Sequence, residues 1–315
     1  MKISIFTIDN KEYSNLELCE INFTQTAKVA CDSLCFYFKS NVFIEEIDRV
    51  AAFDGGNLVF SGICDCQKRI ETQNGFENYI YARSSAAVLV DNEALPFTYN
   101  CPTAAQLWYS LAKDKGFKNC LPQVVSTDKY EVTKGNSCFA AIRQFVELKT
   151  GKVMYVTPEN ELKCFEKSSD IKSLNDYKVL SCTATVNRSE PVSRLCVKKL
   201  SSDTDYKLNM KALVSDEIGI DRVQYLNLQS LPQWQRENGA VNKLKSYFED
   251  YKILEIKVSG FVSDSLYQRF SYKSAGGQYD DYILTEKKYT LDKNGEVTRL
   301  TLKKEIDIKE ITYVD

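Results

Sequence analysis

Two pairs of cysteines have a spacing at which thiolates on a β-strand can share a metal ion. Cys31 and Cys35 have three residues between them, and Cys64 and Cys66 flank Asp65. Because side chains alternate along a strand, both spacings predict two thiols on one face. Structural zinc needs four ligands, usually from Cys-x2-Cys knuckles, and the chain has no histidine to complete such a set. We therefore interpret these cysteines as buried or interface thiols, and expect no metal and no cofactor.

Adjacent carboxylates are the second group with the right types for chemistry. Asp280 and Asp281 follow a Ser-Ala-Gly-Gly stretch, and Asp203 and Asp205 lie in a second polar segment. Both segments are predicted to be loops. A glycosidase uses two carboxyl groups with different pKa values in a shaped pocket. Neighbouring acids on an exposed loop are more often a solvated tip, and we favour that interpretation.

The absence of histidine limits the chemistry further. It excludes Ser-His and Cys-His nucleophile pairs, HExxH zinc sites and the usual general base near neutral pH. The Gly55-Gly56 and Gly276-Gly277 pairs lack the lysine and the strand-loop-helix setting of a phosphate-binding loop. We expect a protein that is not an enzyme.

Basic doublets are the last candidates, and they do not predict binding to nucleic acid. They occur at Lys198-Lys199, Lys287-Lys288 and Lys303-Lys304, in or beside predicted strands, where lysines commonly protect sheet edges. The net charge is −2 and the isoelectric point is near 5.6, whereas phosphate binding needs a clustered cationic face. The 19 tyrosines and 16 phenylalanines do not alternate with a basic stripe, so core and subunit-interface roles are favoured.

The length and the composition fit a globular chain of about two domains. The N-terminus alternates like a strand and lacks the apolar core of a signal peptide. No stretch approaches the roughly 20 apolar residues of a membrane span. We expect assembly in a cytoplasm and no stable membrane association. The odd number of cysteines, 11, favours free thiols over a disulfide framework.

Three regions position these residues. Residues 1–85 alternate strand after strand, with hairpin turns at Asp54-Gly55-Gly56 and Gln73-Asn74-Gly75. Residues 86–176 form a predicted α+β insert. Residues 177–315 return to strands, with a helical insertion at about 216–252. No short-period repeat is present, and residue identity leaves open a duplication of one barrel at each end.

The insert begins inside residues 78–111, where the pattern changes from strand to helix. Thr103-x-x-Gln106 predicts a capping box ahead of a helix. A second helix is predicted from Ser137 to Thr150, with Gly151 as its C-terminal cap. The predicted fold class is therefore β-rich α+β, with two small β-barrel-like domains separated by an α+β insert and a helix inserted in the second barrel.

These pieces resemble the baseplate hub proteins of contractile tails, a family that spans Mu-like phages, PBSX-type defective prophages and phage-tail-like bacteriocins. The resemblance covers nearly the whole chain in short motifs. It is carried by residues 48–63 with the Phe60-Ser61-Gly62 element, the Ala82-Arg83-Ser84-Ser85 stretch with Val88-Leu89-Val90-Asp91, the helix at 137–148 with the strands after Gly151, and residues 216–219 and 240–251 with the closing hairpin at Lys293-Asn294-Gly295.

The resemblance implies a homotrimer in which two barrel-like domains per chain alternate to make a pseudo-sixfold ring. Such a ring joins a hexameric tail tube to a trimeric central spike and leaves a channel. The implied partners are the chain itself, the tube and spike proteins, other baseplate proteins and the tape measure, within a virion or tailocin particle. The residues Arg83, Asp91, Phe60 and Gly62 are then structural turn or interface residues and not catalysts.

Two alternatives stay open from the sequence. The first is a tail-associated peptidoglycan hydrolase that uses loop carboxylates such as Asp280 or Asp281. The second is a secreted adhesin, which the missing signal peptide and the odd cysteine disfavour.

Overall fold

A computed structural model gives the fold. It describes residues 1–166, 168–198, 204–206, 208–212, 214–229, 233–305 and 308–311. These residues form a β-rich α+β fold, as the sequence predicted. No described helix is long and apolar enough to cross a membrane.

Strands dominate the chain from end to end. In chain order they are β1 (Lys2–Thr7), β2 (Glu12–Tyr13), β3 (Glu17–Thr26), β4 (Ser33–Ser40), β5 (Ile47–Asp54), β6 (Asn57–Thr72), β7 (Gly75–Ser84), β8 (Phe97–Tyr99), β9 (Lys118–Asn119), β10 (Tyr130–Val132), β11 (Met154–Val156), β12 (Glu161–Cys164), β13 (Ile171–Ser173), β14 (Val179–Val186), β15 (Arg194–Lys198), β16 (Leu208–Ala212), β17 (Val223–Asn227), β18 (Lys252–Ser259), β19 (Arg269–Ser274), β20 (Gly277–Asp292), β21 (Gly295–Lys304) and β22 (Ile308–Ile311). The helices are α1 (Ala86–Asp91), α2 (Ala104–Leu111), α3 (Cys138–Thr150), α4 (Val214–Glu217) and α5 (Gln233–Ser246), with 3₁₀ turns at Lys113–Lys115 and Leu174–Asp176.

One large sheet, antiparallel except for the pair β13–β19, contains strands from both β regions of the chain. Its order is β14-β18-β21-β20-β3-β4-β7-β6-β5-β1-β2, and β19 pairs with both β20 and β13. The ladder between β3 and β20 joins the two β regions directly. The described strand pairings close no sheet into a barrel, so the two-barrel part of the predicted fold class is not seen in the single chain.

The hairpins of this sheet form where turn residues predicted them. Gly55 and Gly56 both have positive φ, which the turn between β5 and β6 requires and which glycine adopts without strain. Two residues, Gln73 and Asn74, connect β6 to β7. The last hairpin has the same design, with Lys293 and Asn294 between β20 and β21.

The α+β insert packs around its own core. Thr103 and Gln106 form the predicted capping box at the start of α2. Ser137 caps α3, which ends at Gly151 in the left-handed conformation that a C-terminal cap needs. Buried residues of these helices pack with the small sheets around them: Leu107, Leu111, Ile142, Phe145, Met154 and Leu162.

The predicted insertion at 216–252 belongs to a larger unit. Strands β15, β16, β17 and β22 form a separate four-stranded sheet. Helix α5 packs on this sheet through Ala240 and Leu244, and the next turn adds Phe248 and Tyr251. The helix ends at Ser246, six residues short of its predicted end at Lys252, because this turn leads directly into β18.

Two parts of the large sheet repeat one strand order. The order β3-β4-β7-β6-β5 in the first part corresponds to β14-β18-β21-β20-β19 in the second. The register repeats as well. Ser33 pairs with Arg83 between β4 and β7, and Ile253 pairs with Lys303 between β18 and β21. The number of positions from Ser33 to Ile253 equals that from Arg83 to Lys303. Residues of these strands that are separated by this same number of positions therefore correspond to each other.

An irregularity in the long central strand of each part lies at the same position. The β6–β7 ladder shifts register between Cys64 and Cys66, and the β20–β21 ladder shifts between the corresponding residues Leu284 and Glu286. The structure therefore contains a duplicated five-stranded unit, the possibility that residue identity left open.

Candidate functional site

The first predicted site residue, Arg83 at the end of β7, holds two carboxylates at once. Its Nε lies 2.5 Å and its Nη2 3.0 Å from the oxygens of Asp65. Its Nη1 and Nη2 donate to Asp91 at 3.0 and 2.8 Å. Bidentate arginine–carboxylate bonds fix geometry as well as charge. Arg83 therefore ties together β6, β7 and the end of α1.

A β-bulge places Asp65 in this cluster. In the β6–β7 ladder, Cys64 pairs with Ala82 and Cys66 with Tyr81, so Asp65 is an extra residue without a cross-strand partner. The bulge redirects its side chain to Arg83. It also puts Cys64 on the buried side of Ala82 and Cys66 on the exposed side of Tyr81, so the expectation that both thiols share one face is wrong.

The cysteines have no metal-binding arrangement. Among the described residues, no group of three or more potential ligands comes together. Burial raises the pKa of the Cys31 and Cys64 thiols to about 11, which keeps both protonated at neutral pH. All 11 cysteines are free thiols.

Gly62 and Phe60 lie beside the arginine cluster. A Cβ atom on Gly62 would lie 2.1 Å from the carbonyl oxygen of Arg83 and 2.7 Å from the Phe60 ring. Only glycine permits this approach of β6 to β7. Phe60 is buried in the core of the first β region, where its ring meets Phe23 edge to face at 5.8 Å. All four predicted site residues therefore lie around one point of the fold.

The electrostatics of the cluster follow from its contacts. The Asp65 and Asp91 carboxylates raise the pKa of the Arg83 guanidinium above its ordinary value. The hydrogen bonds from Arg83 lower the pKa of Asp91. In this cluster both carboxylates are bonded to one guanidinium, and the bonds to Asp91 anchor the end of α1. Leu89 on α1 packs in the core of the α+β insert, so the cluster connects the first β region to that insert.

Sequence reasoning missed Asp65 as a partner of Arg83. From the sequence, Asp65 was considered only as the residue between Cys64 and Cys66. Its charge was visible, but the bulge that directs it depends on the register of β6 against β7, which the residues of the turn do not specify.

The duplicated unit has a second cation at the position of Arg83. Lys303 corresponds to Arg83, and its ammonium lies 2.5 Å from Asp250 and 3.4 Å from Glu249. Lys28 joins the same two carboxylates. Lys28 precedes β4 and the two acids precede β18, so this network holds the two β regions together beside the β3–β20 ladder.

Lys287 overturns one expectation from the basic doublets. It lies on β20, between β21 and β3, and is 3% exposed, so it does not protect an edge. Its ammonium donates to the carbonyl oxygens of Val262 and Asp264 at 3.0 and 3.1 Å. Burial lowers the pKa of Lys287 to about 8, against the opposing effect of Asp32 and Asp264.

Two of the carboxylates considered for hydrolysis do not lie in a loop. Asp280 and Asp281 belong to β20, because the turn is confined to Ala275 and Gly276. Asp281 lies 2.5 Å from Arg269 on the neighbouring strand. Asp203 and Lys199 lie outside the described residues, and Asp205 is exposed.

Comparison with known proteins identifies solved structures that have a similar fold. No protein-family model matches the chain, and neither does any curated protein. Solved structures match over nearly its whole length. The 43 kDa tail protein of prophage MuSo2 from Shewanella oneidensis has a TM-score of 0.79 at 14% identity, covering 96% of this chain and 98% of that one. The tail protein from Neisseria meningitidis MC58 has a TM-score of 0.75 at 16% identity, covering 96% of both chains.

A third match extends the fold beyond prophages. The E. coli c3393 protein, a type VI secretion component described as similar to the T4 tail proteins gp27 and gp5, has a TM-score of 0.59 at 7% identity. The structural match covers 96% of this chain and 76% of the c3393 protein. Two of these structural neighbours are tail proteins and the third is a secretion component similar to tail proteins, so the resemblance drawn from the sequence is confirmed at the level of the fold.

Proposed function

We propose that this chain is the structural hub of a contractile-tail baseplate, a homotrimer that joins a hexameric tail tube to a trimeric central spike. The observation that carries the proposal is the duplicated five-stranded unit. Three chains with two units each present six similar positions around one axis. The same three chains present three copies of the α+β insert and of the unit that contains α5.

This arrangement suits a symmetry adaptor. A closed ring requires heterologous contacts that return to the first subunit. Six similar β units match a sixfold tube on one face, and the three larger inserts match a threefold spike on the other. The open sheet faces then surround a channel. Function lies in large obligate interfaces and a sealed passage, with no chemical step.

The proposed partners follow from this position. They are other copies of the chain, the tube protein, the spike protein, neighbouring baseplate proteins and the tape measure, in a virion or tailocin particle assembled in the bacterial cytoplasm. The structural neighbours named above support the tail assignment through their shared fold.

Light scattering coupled to size-exclusion chromatography tests the proposal. We expect a trimer, and co-purification with tube and spike proteins from the same gene neighbourhood on coexpression. A folded chain that stays monomeric and binds neither protein would refute it.

A further inference from the structure

The ladder between β3 and β20 is a junction between the two duplicated units. Residues 286–291 of β20 pair antiparallel with residues 21–26 of β3. Within it, Lys288 lies opposite Thr24, and Thr290 lies opposite Asn22. The first unit contributes β3, the first strand in its sheet order. The second unit contributes the C-terminal half of its long strand β20.

The duplication leaves one half of the same junction without a described strand partner in each unit. Strand β14 is the counterpart of β3, and its only described ladder is with β18. Residues 66–71 of β6 are the counterpart of residues 286–291. In the part of the chain that the structure describes, they pair with β7 alone, because the ladder with β5 stops at Ile63.

The free edge of β14 has the properties of a strand that pairs with another strand. Its sequence, VLSCTATV, contains no charge and no proline, which are the usual protections of an edge. Leu180 and Val186 on it are 51% and 57% exposed. An uncharged eight-residue edge with exposed apolar side chains is a template for a further strand.

We propose that β14 of one copy pairs antiparallel with residues 66–71 of β6 in the next copy, repeating the β3–β20 junction between chains. This inference rests on the proposed function, since it specifies how the ring closes. The occupant of the free edge is a second copy, because the chain itself carries the matching half-junction. The contact is heterologous, so three copies close a ring in which internal and intersubunit junctions alternate.

The register follows from corresponding residues. Thr185 lies opposite Ile253 as Thr24 lies opposite Ser33, so Thr185 corresponds to Thr24. Lys68 corresponds to Lys288, because each pairs with the equivalent position of the following strand. In the ring, Thr185 of one copy therefore lies opposite Lys68 of the next, and by the same correspondence Thr183 lies opposite Ile70.

A charge exchange tests this register. Thr185→Lys places an ammonium opposite Lys68, and like charges directly opposed destabilise a ladder. We expect the trimer to need at least about tenfold more protein to form. Adding Lys68→Glu to Thr185→Lys creates an opposite-charge pair and is expected to restore assembly. Gln224→Lys, an exposed position on strand β17 of the smaller sheet, is the control and leaves assembly unchanged.

A photo-crosslinking residue at Thr183 provides an independent measurement. Mixed isotope-labelled copies are expected to show crosslinks from one chain to residues 67–71 of another. If the wild-type trimer forms but crosslinks only elsewhere, or if Thr185→Lys assembles normally, the edge pairing is wrong and the hub proposal stands. If the wild-type chain forms no trimer with or without its tube and spike proteins, both fail.

Discussion

Arg83 and Asp65 lie on neighbouring strands, and the carboxylate of Asp65 reaches 2.5 Å from Arg83 Nε because β6 carries one extra residue at that point. The cross-strand partner of Arg83 on β6 is Ile63, so the bulge is what brings a carboxylate of β6 to the guanidinium. Because Arg83 also donates to Asp91, it connects the β6–β7 hairpin to the end of α1.

Arg83→Ala should weaken this anchor. The guanidinium is about one quarter exposed and makes four charged hydrogen bonds, so we expect a loss of about 1–2 kcal/mol after allowance for solvent screening. Urea unfolding measures it, and light scattering shows whether assembly is also impaired. Arg49→Ala removes a more exposed arginine whose ion pair is with its neighbour Asp48, and should cost less. Unchanged unfolding and assembly of Arg83→Ala would contradict the structural role.

Gly62→Ala should damage the same region through the backbone. The new methyl group would lie 2.1 Å from the Arg83 carbonyl oxygen, so the two strands must separate. We expect a loss of about 3 kcal/mol, typical of overpacking against rigid atoms. Gly276→Ala is the matched control, since its Cβ would meet nothing closer than 3.7 Å. Equal midpoints in urea for the two variants would show that β6 accommodates the methyl group.

The bond between Arg83 and Asp91 predicts a pH dependence. The pKa of Asp91 in the fold is depressed below its ordinary value of 3.8. Its contribution to stability is therefore complete above about pH 4–5 and is lost as the pH falls through the folded pKa. The destabilisation caused by Asp91→Asn should be constant from pH 7 to 5 and shrink at more acidic pH. In the Arg83→Ala background, which lacks the hydrogen bonds that lower this pKa, Asp91→Asn should show no such trend. A constant Asp91→Asn effect down to pH 2.5 in the otherwise wild-type protein would refute the coupling.

Local signals explain what the sequence predicted about the fold. The capping box at Thr103, the helix stop at Gly151 and the turn at Lys293-Asn294 each depend on a few neighbouring residues, and all three formed as predicted. The helix α5 ended early because the packing of Phe248 and Tyr251, and not helix propensity, decides that boundary. Tertiary contacts commonly override propensity at helix ends.

Non-local register explains what the sequence did not predict. The β3–β20 ladder joins residues more than 250 positions apart, such as Phe23 and Tyr289. The two units share strand order and the bulge in their long central strands, but few residue types: Arg83 corresponds to Lys303, and Gln67 to Lys287. Sequence identity cannot reveal a repeat that is preserved in hydrogen bonding, whereas the register of the ladders shows it directly.

Gln67 and Lys287 occupy corresponding positions in the two units and make similar hydrogen bonds with different chemical groups. Each reaches from its long strand to a loop: Gln67 Nε2 donates to the Glu45 carbonyl oxygen, and Lys287 Nζ donates to the carbonyl oxygens of Val262 and Asp264. The neutral amide does this without burying a charge. Burial of the lysine, by contrast, disfavours its charged form.

Lys287→Gln should therefore stabilise the protein near neutral pH. The pKa of Lys287 falls from 10.5 to about 8 in the fold, so the charged form is penalised at all lower pH values. We expect the variant to be about 1–3 kcal/mol more stable at pH 7. Between about pH 8 and 10.5 the unfolded wild-type chain binds more protons than the folded chain, so the stability of the wild type rises relative to that of the variant. The difference in the free energy of unfolding between the two proteins therefore becomes smaller over this range. Taking the difference between the two proteins at each pH removes the contributions of tyrosine and cysteine titration. A difference that stays constant from pH 7 to 9.5, or a variant that is less stable throughout, would show that the ammonium's bonds to the loop outweigh its burial.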